Sequence, residues 1–172
     1  ASDFCATHFF ALSLQALRQD STDARISGVG SGSGATVVTG GGTSGAAGSG
    51  KLTVTADLID VTRATFSGFA ETRLVTGDLR IGALISGADG NEDRRSYLTA
   101  DGQLTLKAAQ IYPATGIVAS IQAGTQLDIQ RNGDNGLPLS AAGTLKLQAP
   151  VIVQGGVVRA PFGSITLSAT DS

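Results

Sequence analysis

Gly102-Gln103-Leu104-Thr105-Leu106-Lys107-Ala108 is the stretch whose reading decides the fold. Apolar and polar residues alternate along it, the period-2 signature of a strand with one buried face. The same pattern, (Leu/Ile)-x-(Leu/Ile/Val)-x-Ala, opens at Leu12, Leu52, Leu79, Leu104, Leu145 and Ile165. A seventh copy, Leu127-Asp-Ile129-Gln-Arg131, has Arg in place of Ala. The openings are spaced 40, 27, 25, 23, 18 and 20 residues apart, and the first interval reads as two units around a degenerate rung at Ala35-Thr36-Val37-Val38. Gly or Thr stands two residues before six of the seven copies, at Gly50, Gly77, Gly102, Thr125, Gly143 and Gly163, where the chain must turn. Ile59, Ile111 and Ile152 each follow an opening residue by seven positions. The unit is therefore strand, bend, short strand, bend.

A period near 20 residues with one main strand per unit predicts an all-β parallel β-helix, a solenoid of about 7–8 coils stacked about 4.8 Å apart. Its interior rows are expected at Leu52, Val54, Ala56, Leu79, Ile81, Leu104, Leu106, Ala108, Leu127, Ile129, Leu145, Leu147, Ala149, Ile165 and Leu167. Leu52, Leu104, Leu145 and Ile165 are expected in one common internal column. An antiparallel sandwich also gives short alternating strands, but it has no need to repeat one five-residue pattern.

Residues 1–172 read as one solenoid segment. Residues 1–25 form a weak first rung, or a short helix with Phe10, Leu14 and Leu17 on one face. Residues 26–50, with ten of the chain's 24 glycines, form a Gly/Ser-rich loop region, and 51–172 form regular coils. The charged run Asp89, Asn91, Glu92, Asp93, Arg94 and Arg95 is a candidate contact loop. Asn132-Gly133-Asp134-Asn135-Gly136 is a second loop with two Asn-Gly turn signals. The chain lacks an initiator Met and a signal peptide and stops on a strand copy, so a fragment of a larger chain is expected.

Composition narrows the function classes. Charged residues are 15% and apolar residues 41%, the opposite of a disordered chain. Gly and Thr run through nearly all of it, which argues against a helical bundle. A net charge of -2 offers no basic field for a nucleic acid. No apolar run is long enough for a membrane-spanning helix.

Chemical motifs are weak. Gly45-Ala-Ala-Gly-Ser-Gly50-Lys51 nearly spells a phosphate loop, but Leu52 replaces the Ser/Thr and a strand follows. Gly30-Ser-Gly32-Ser-Gly-Ala35 opens no helix, so the dinucleotide reading fails too. Asp89-Gly-Asn91-Glu-Asp93 lacks the Gly and the final acidic residue of a calcium loop. Cys5 and His8 are the only Cys and His, too few for a metal site or a catalytic triad. No cofactor and no catalytic residue is expected. Among the acidic residues near the strands (Asp57, Asp60, Asp78, Asp101 and Asp128), Asp57 and Asp60 are the closest pair. They read as outward solubilising charges, and otherwise as the carboxylates of a polysaccharide-active β-helical enzyme.

Gly143 to Leu167, with Leu145-Lys-Leu147-Gln-Ala149-Pro150 and Arg159-Ala-Pro161-Phe-Gly163, resembles repeats of the filamentous haemagglutinin family. These are large exoproteins of Gram-negative bacteria exported by two-partner secretion. Ala56-Asp-Leu-Ile-Asp-Val61 and Gln110-Ile-Tyr-Pro-Ala-Thr-Gly116 are similar to neighbouring segments of that family, and the resemblance spans roughly residues 50–172. It implies a right-handed coil, a secreted, cell-surface location and adhesion or biofilm work. The family's amino-terminal Asn-Pro-Asn motif has no counterpart, which points to a body or distal segment. Implied partners are the outer-membrane transporter during export, a host-surface or glycan receptor, and the remainder of the parent chain or further copies at the open solenoid ends. A stalk carrying a toxin encoded elsewhere in the parent chain is the other reading of such a rod.

Overall fold

A computed structural model describes residues 50–82 and 94–170, together with the backbone of three earlier strands, β1 (Leu14–Gln15), β2 (Asp23–Ser27) and β3 (Thr36–Thr39). Ten strands follow: β4 (Gly50–Thr62), β5 (Ala64–Ser67), β6 (Phe69–Ile81), β7 (Arg95–Ala100) and β8 (Gln103–Pro113). Then come β9 (Val118–Ala123), β10 (Gln126–Arg131), β11 (Thr144–Ala149), β12 (Val151–Gln154) and β13 (Ser164–Ala169). No helix occurs among the described residues. The fold is a β-solenoid. From β4 onward, even-numbered strands stack in one sheet and odd-numbered strands in the other, every pair parallel, which makes five turns between Gly50 and Ala169. The sole antiparallel pair among the described strands is β1 with β2. At Leu14–Gln15 the chain is a strand; the rest of 1–22 lies outside the described residues.

Alternation explains each strand, and one interruption explains the shape of a turn. In β6 the inward residues are Thr72, Leu74 and Thr76, then Leu79 and Ile81, so parity changes at Gly77-Asp78. β8 repeats the change after Ala108, before Ile111. The long strands therefore carry two inward segments separated by a bend, and the odd-numbered strands supply a third. A Cβ on Gly77 would lie 2.8 Å from the Asp57 carbonyl oxygen of the turn before, so the bend requires a residue without one.

The expectation of one common column is corrected. Leu52 and Leu104 belong to the first segment, where Leu52, Thr72, Leu104, Leu127 and Ile152 are successive partners. Leu79 and Ile81 lie in the second segment, between Ile59–Val61 and Ile111–Pro113. Leu145 and Ile165 lie in the opposite sheet, in line with Ser96 and Ala119. Leu127 and Leu145 are two halves of one turn, which is why their 18-residue interval is the shortest. The repeat is real, but all three walls of the coil use it, so its spacing mixes full turns with part turns.

The interior is closely filled. Leu79, Ile81, Leu104, Leu106, Ala108, Leu127, Ile129, Leu145, Leu147 and Ala149 are at most 1% exposed. Leu52, Val54 and Ala56 are half-buried against them. Ile165 and Leu167 of the last turn are 40% and 49% exposed. Phe66 faces Ala100, and Ala100 faces Ala123, so the small residue at the fifth position leaves room for a ring one turn earlier. Each fully buried aliphatic side chain contributes about 1.5–3 kcal/mol, and only stacking provides that burial.

Candidate functional site

The outer face of the second segment carries charge in register. Asp60 of β4 stands beside Arg80 of β6, and Arg80 beside Tyr112 of β8. Two residues earlier on the same strands, Asp78 stands beside Gln110. Arg80 donates from Nη2 to Asp60 Oδ2 as an ion pair, and Asp60 is only 7% exposed. A Cβ on Gly82 would lie 2.7 Å from Asp60 Oδ1, so a glycine there makes room for the carboxylate.

Asp78 gathers three donors. Its Oδ1 accepts from Gln110 Nε2 at 3.1 Å and from Asn135 Nδ2, and its Oδ2 accepts from Tyr112 Oη at 3.3 Å. Asn135 belongs to the loop between β10 and β11, which reaches back across two turns. That loop is pinned at several further points. Asn132 Nδ2 donates to Thr76 O at 2.9 Å, and Ser140 Oγ to Pro113 O. Gly116 N donates to Ala141 O at 3.0 Å, and Ala141 N to Thr115 Oγ1 at 3.3 Å.

Between loop and sheet lies a cleft of about 680 Å³. Asp78, Arg80, Gln110 and Tyr112 line one side, and Asn135, Leu137, Pro138 and Leu139 the other. This volume is within the range of small-molecule sites. Leu137 and Leu139 are 78% and 104% exposed, so the loop offers an apolar wall to solvent. The Tyr112 phenol is pushed above its ordinary 10.0, first by burial and then by the Asp78 carboxylate, with Arg80 opposing. Gln110 is 2% exposed, and its Oε1 has no hydrogen-bond partner.

The reading of Asp57 and Asp60 as two outward charges is corrected in part. Asp57 is exposed, but Asp60 is buried and ion-paired. Of the candidate contact loop, Asp89, Asn91, Glu92 and Asp93 lie outside the described residues. Arg94 O accepts from Val118 N at 2.7 Å, and Arg95 opens β7, its carbonyl accepting from Arg63 Nε at 3.1 Å. Cys5 and His8 also lie outside, as do most of the residues resembling nucleotide loops. Among the described residues no group of three or more His, Cys, Asp or Glu could hold a metal. The Asp78, Arg80, Tyr112 and Asn135 grouping is not legible in the sequence, where Asn132-Gly133 and Asn135-Gly136 mark only a turn. No family model, curated protein or solved structure matches the chain.

Proposed function

We propose that this chain is a structural and adhesive segment of a secreted, cell-surface fibre of the filamentous haemagglutinin type, right-handed in its coil. Its work is mechanical rather than catalytic: stacked turns make a stiff rod that holds binding surfaces away from the cell. The observation that carries this reading is the stacking itself: five parallel turns share one interior, in which Leu74, Leu106 and Ile129 are register partners at most 1% exposed. The partners proposed for it are the remainder of a parent chain or further copies of this one, a host-surface or glycan receptor, and an outer-membrane transporter during export.

The second reading, a polysaccharide-active enzyme using Asp57 and Asp60, would have to work with Asp60 ion-paired to Arg80. Electron microscopy with fibre diffraction of the secreted parent protein tests the proposal. Rods with a meridional repeat of about 4.8 Å are expected. Compact particles without that repeat would overturn it.

A further inference from the structure

We propose that the cleft between the outer face of the sheet and the loop at Asn135–Leu139 binds an ammonium or guanidinium head on an aliphatic stem. That is the chemistry of a lysine or arginine side chain, or of a free diamine. The inference does not depend on the rod being part of a fibre.

Charge selects the head group. Of the charged side chains on this face, Arg80 is engaged with Asp60 as an ion pair. Asp78 is held by three uncharged donors, Gln110, Tyr112 and Asn135, and the Tyr112 phenol, raised first by burial, is raised further by that carboxylate. An anionic ligand is therefore disfavoured. Hydrogen bonding selects a donor. An ionised carboxylate accepts about four hydrogen bonds, and Asp78 receives three, only one of them on Oδ2. The Gln110 amide that gives Nε2 to Asp78 leaves Oε1 without a donor. A buried acceptor in that condition is costly, and a group rich in N–H relieves it. Surface shape selects the stem. The Tyr112 ring and the exposed Leu137-Pro138-Leu139 wall give methylene groups an apolar track beside the carboxylate.

The test uses three small probes on the folded chain, followed by amide chemical-shift titration. They are Nα-acetyl-lysine N-methylamide, its uncharged norleucine counterpart, and 1,5-diaminopentane. Saturable binding of the lysine probe is expected, with shifts at Asp78, Gln110, Tyr112 and Asn135. The norleucine probe should bind about tenfold or more weakly, because hydrogen bonds to charged groups exceed neutral ones. Asp78→Asn should weaken the lysine probe by a similar factor. Because Asp78 also holds the loop, Leu139→Ser serves as a second variant. It removes an exposed stem contact, should keep the parent melting curve, and should weaken the lysine probe while leaving its Asp78 dependence intact. Tighter binding of the diamine than of the lysine probe assigns the site to free polyamines; the reverse assigns it to side chains of a protein partner. No saturable binding of either amine overturns the proposal. So does equal binding of norleucine or of a neutral methyl glycoside, or an affinity untouched by both variants.

Discussion

Asp60 and Arg80 occupy the same register position on adjacent turns, and their ion pair ties those turns together on the outside of the sheet. The pair is asymmetric. The Asp60 side chain is 10% exposed and that of Arg80 is 39% exposed. Removing the arginine strands a nearly buried carboxylate, whereas removing the carboxylate leaves a cation that water can reach. Arg80→Ala should therefore cost more than Asp60→Ala, within about 1–3 kcal/mol for each. Denaturant unfolding of both single variants and the double variant measures the order and the coupling. Equal losses that add without coupling would show that the pair contributes nothing as a pair.

Thr72 interrupts a column otherwise made of Leu52, Leu104, Leu127 and Ile152. It is 1% exposed, and its Oγ1 has no hydrogen-bond partner. Thr72→Val keeps the branched shape and removes a desolvated hydroxyl. A gain of about 1–2 kcal/mol follows, seen as a melting temperature several degrees higher. A loss of stability would mean that the hydroxyl has a partner.

The same residue shows why the sequence was only partly legible. Thr72-x-Leu74-x-Thr76 is a full member of the repeat, pairing with Leu52–Ala56 on one side and Leu104–Ala108 on the other. Two threonines in place of Leu and Ala hide it, and the 27-residue interval from Leu52 to Leu79 passes over it. Leu127 and Leu145 mislead in the opposite direction, because strands on different walls meet the same demand for alternating apolar residues. Alternation fixes which residues point inward but not which wall they build. The cleft was harder still. Asn135 meets Asp78 across 57 positions, through a loop whose path no periodicity encodes. Only the preference of Asn-Gly for turns was visible there.

Gly124 sits at a corner where turns press closest. A Cβ on it would lie 1.9 Å from the Asp101 carbonyl oxygen, a backbone atom that cannot step aside. Gly124→Ala should cost about 1–3 kcal/mol, as overpacking does in a filled interior. Gly136 is the control. Nothing lies within 4 Å of a Cβ there, so Gly136→Ala should be neutral or stabilise by up to about 1 kcal/mol. Paired thermal melts decide the matter, and similar values for the two variants would contradict the close stacking at Asp101.

Leu106 is fully buried between Leu74 and Ile129. Leu106→Ala should lose about 2–5 kcal/mol, and Leu106→Asp should unfold the chain by placing a charge where no partner exists. Half-buried Leu52→Ala should lose clearly less. Far-UV circular dichroism against denaturant gives the comparison. A parent-like melt for Leu106→Asp would refute the assigned wall.

Tyr112 supplies a pH test of the cleft. Its phenol is raised above 10.0 by burial first and by Asp78 next, so the folded chain holds that proton more tightly than the unfolded one. The resulting stabilisation is complete below the ordinary tyrosine value. It declines once pH passes 10.0 and is gone above the folded value. Absorbance titration near 295 nm should therefore show one tyrosine ionising late. Asp78→Asn removes the carboxylate while leaving most of the burial, so Tyr112 should titrate earlier but still above 10.0. An unchanged curve in that variant would separate Tyr112 from Asp78 and contradict the hydrogen bond between them.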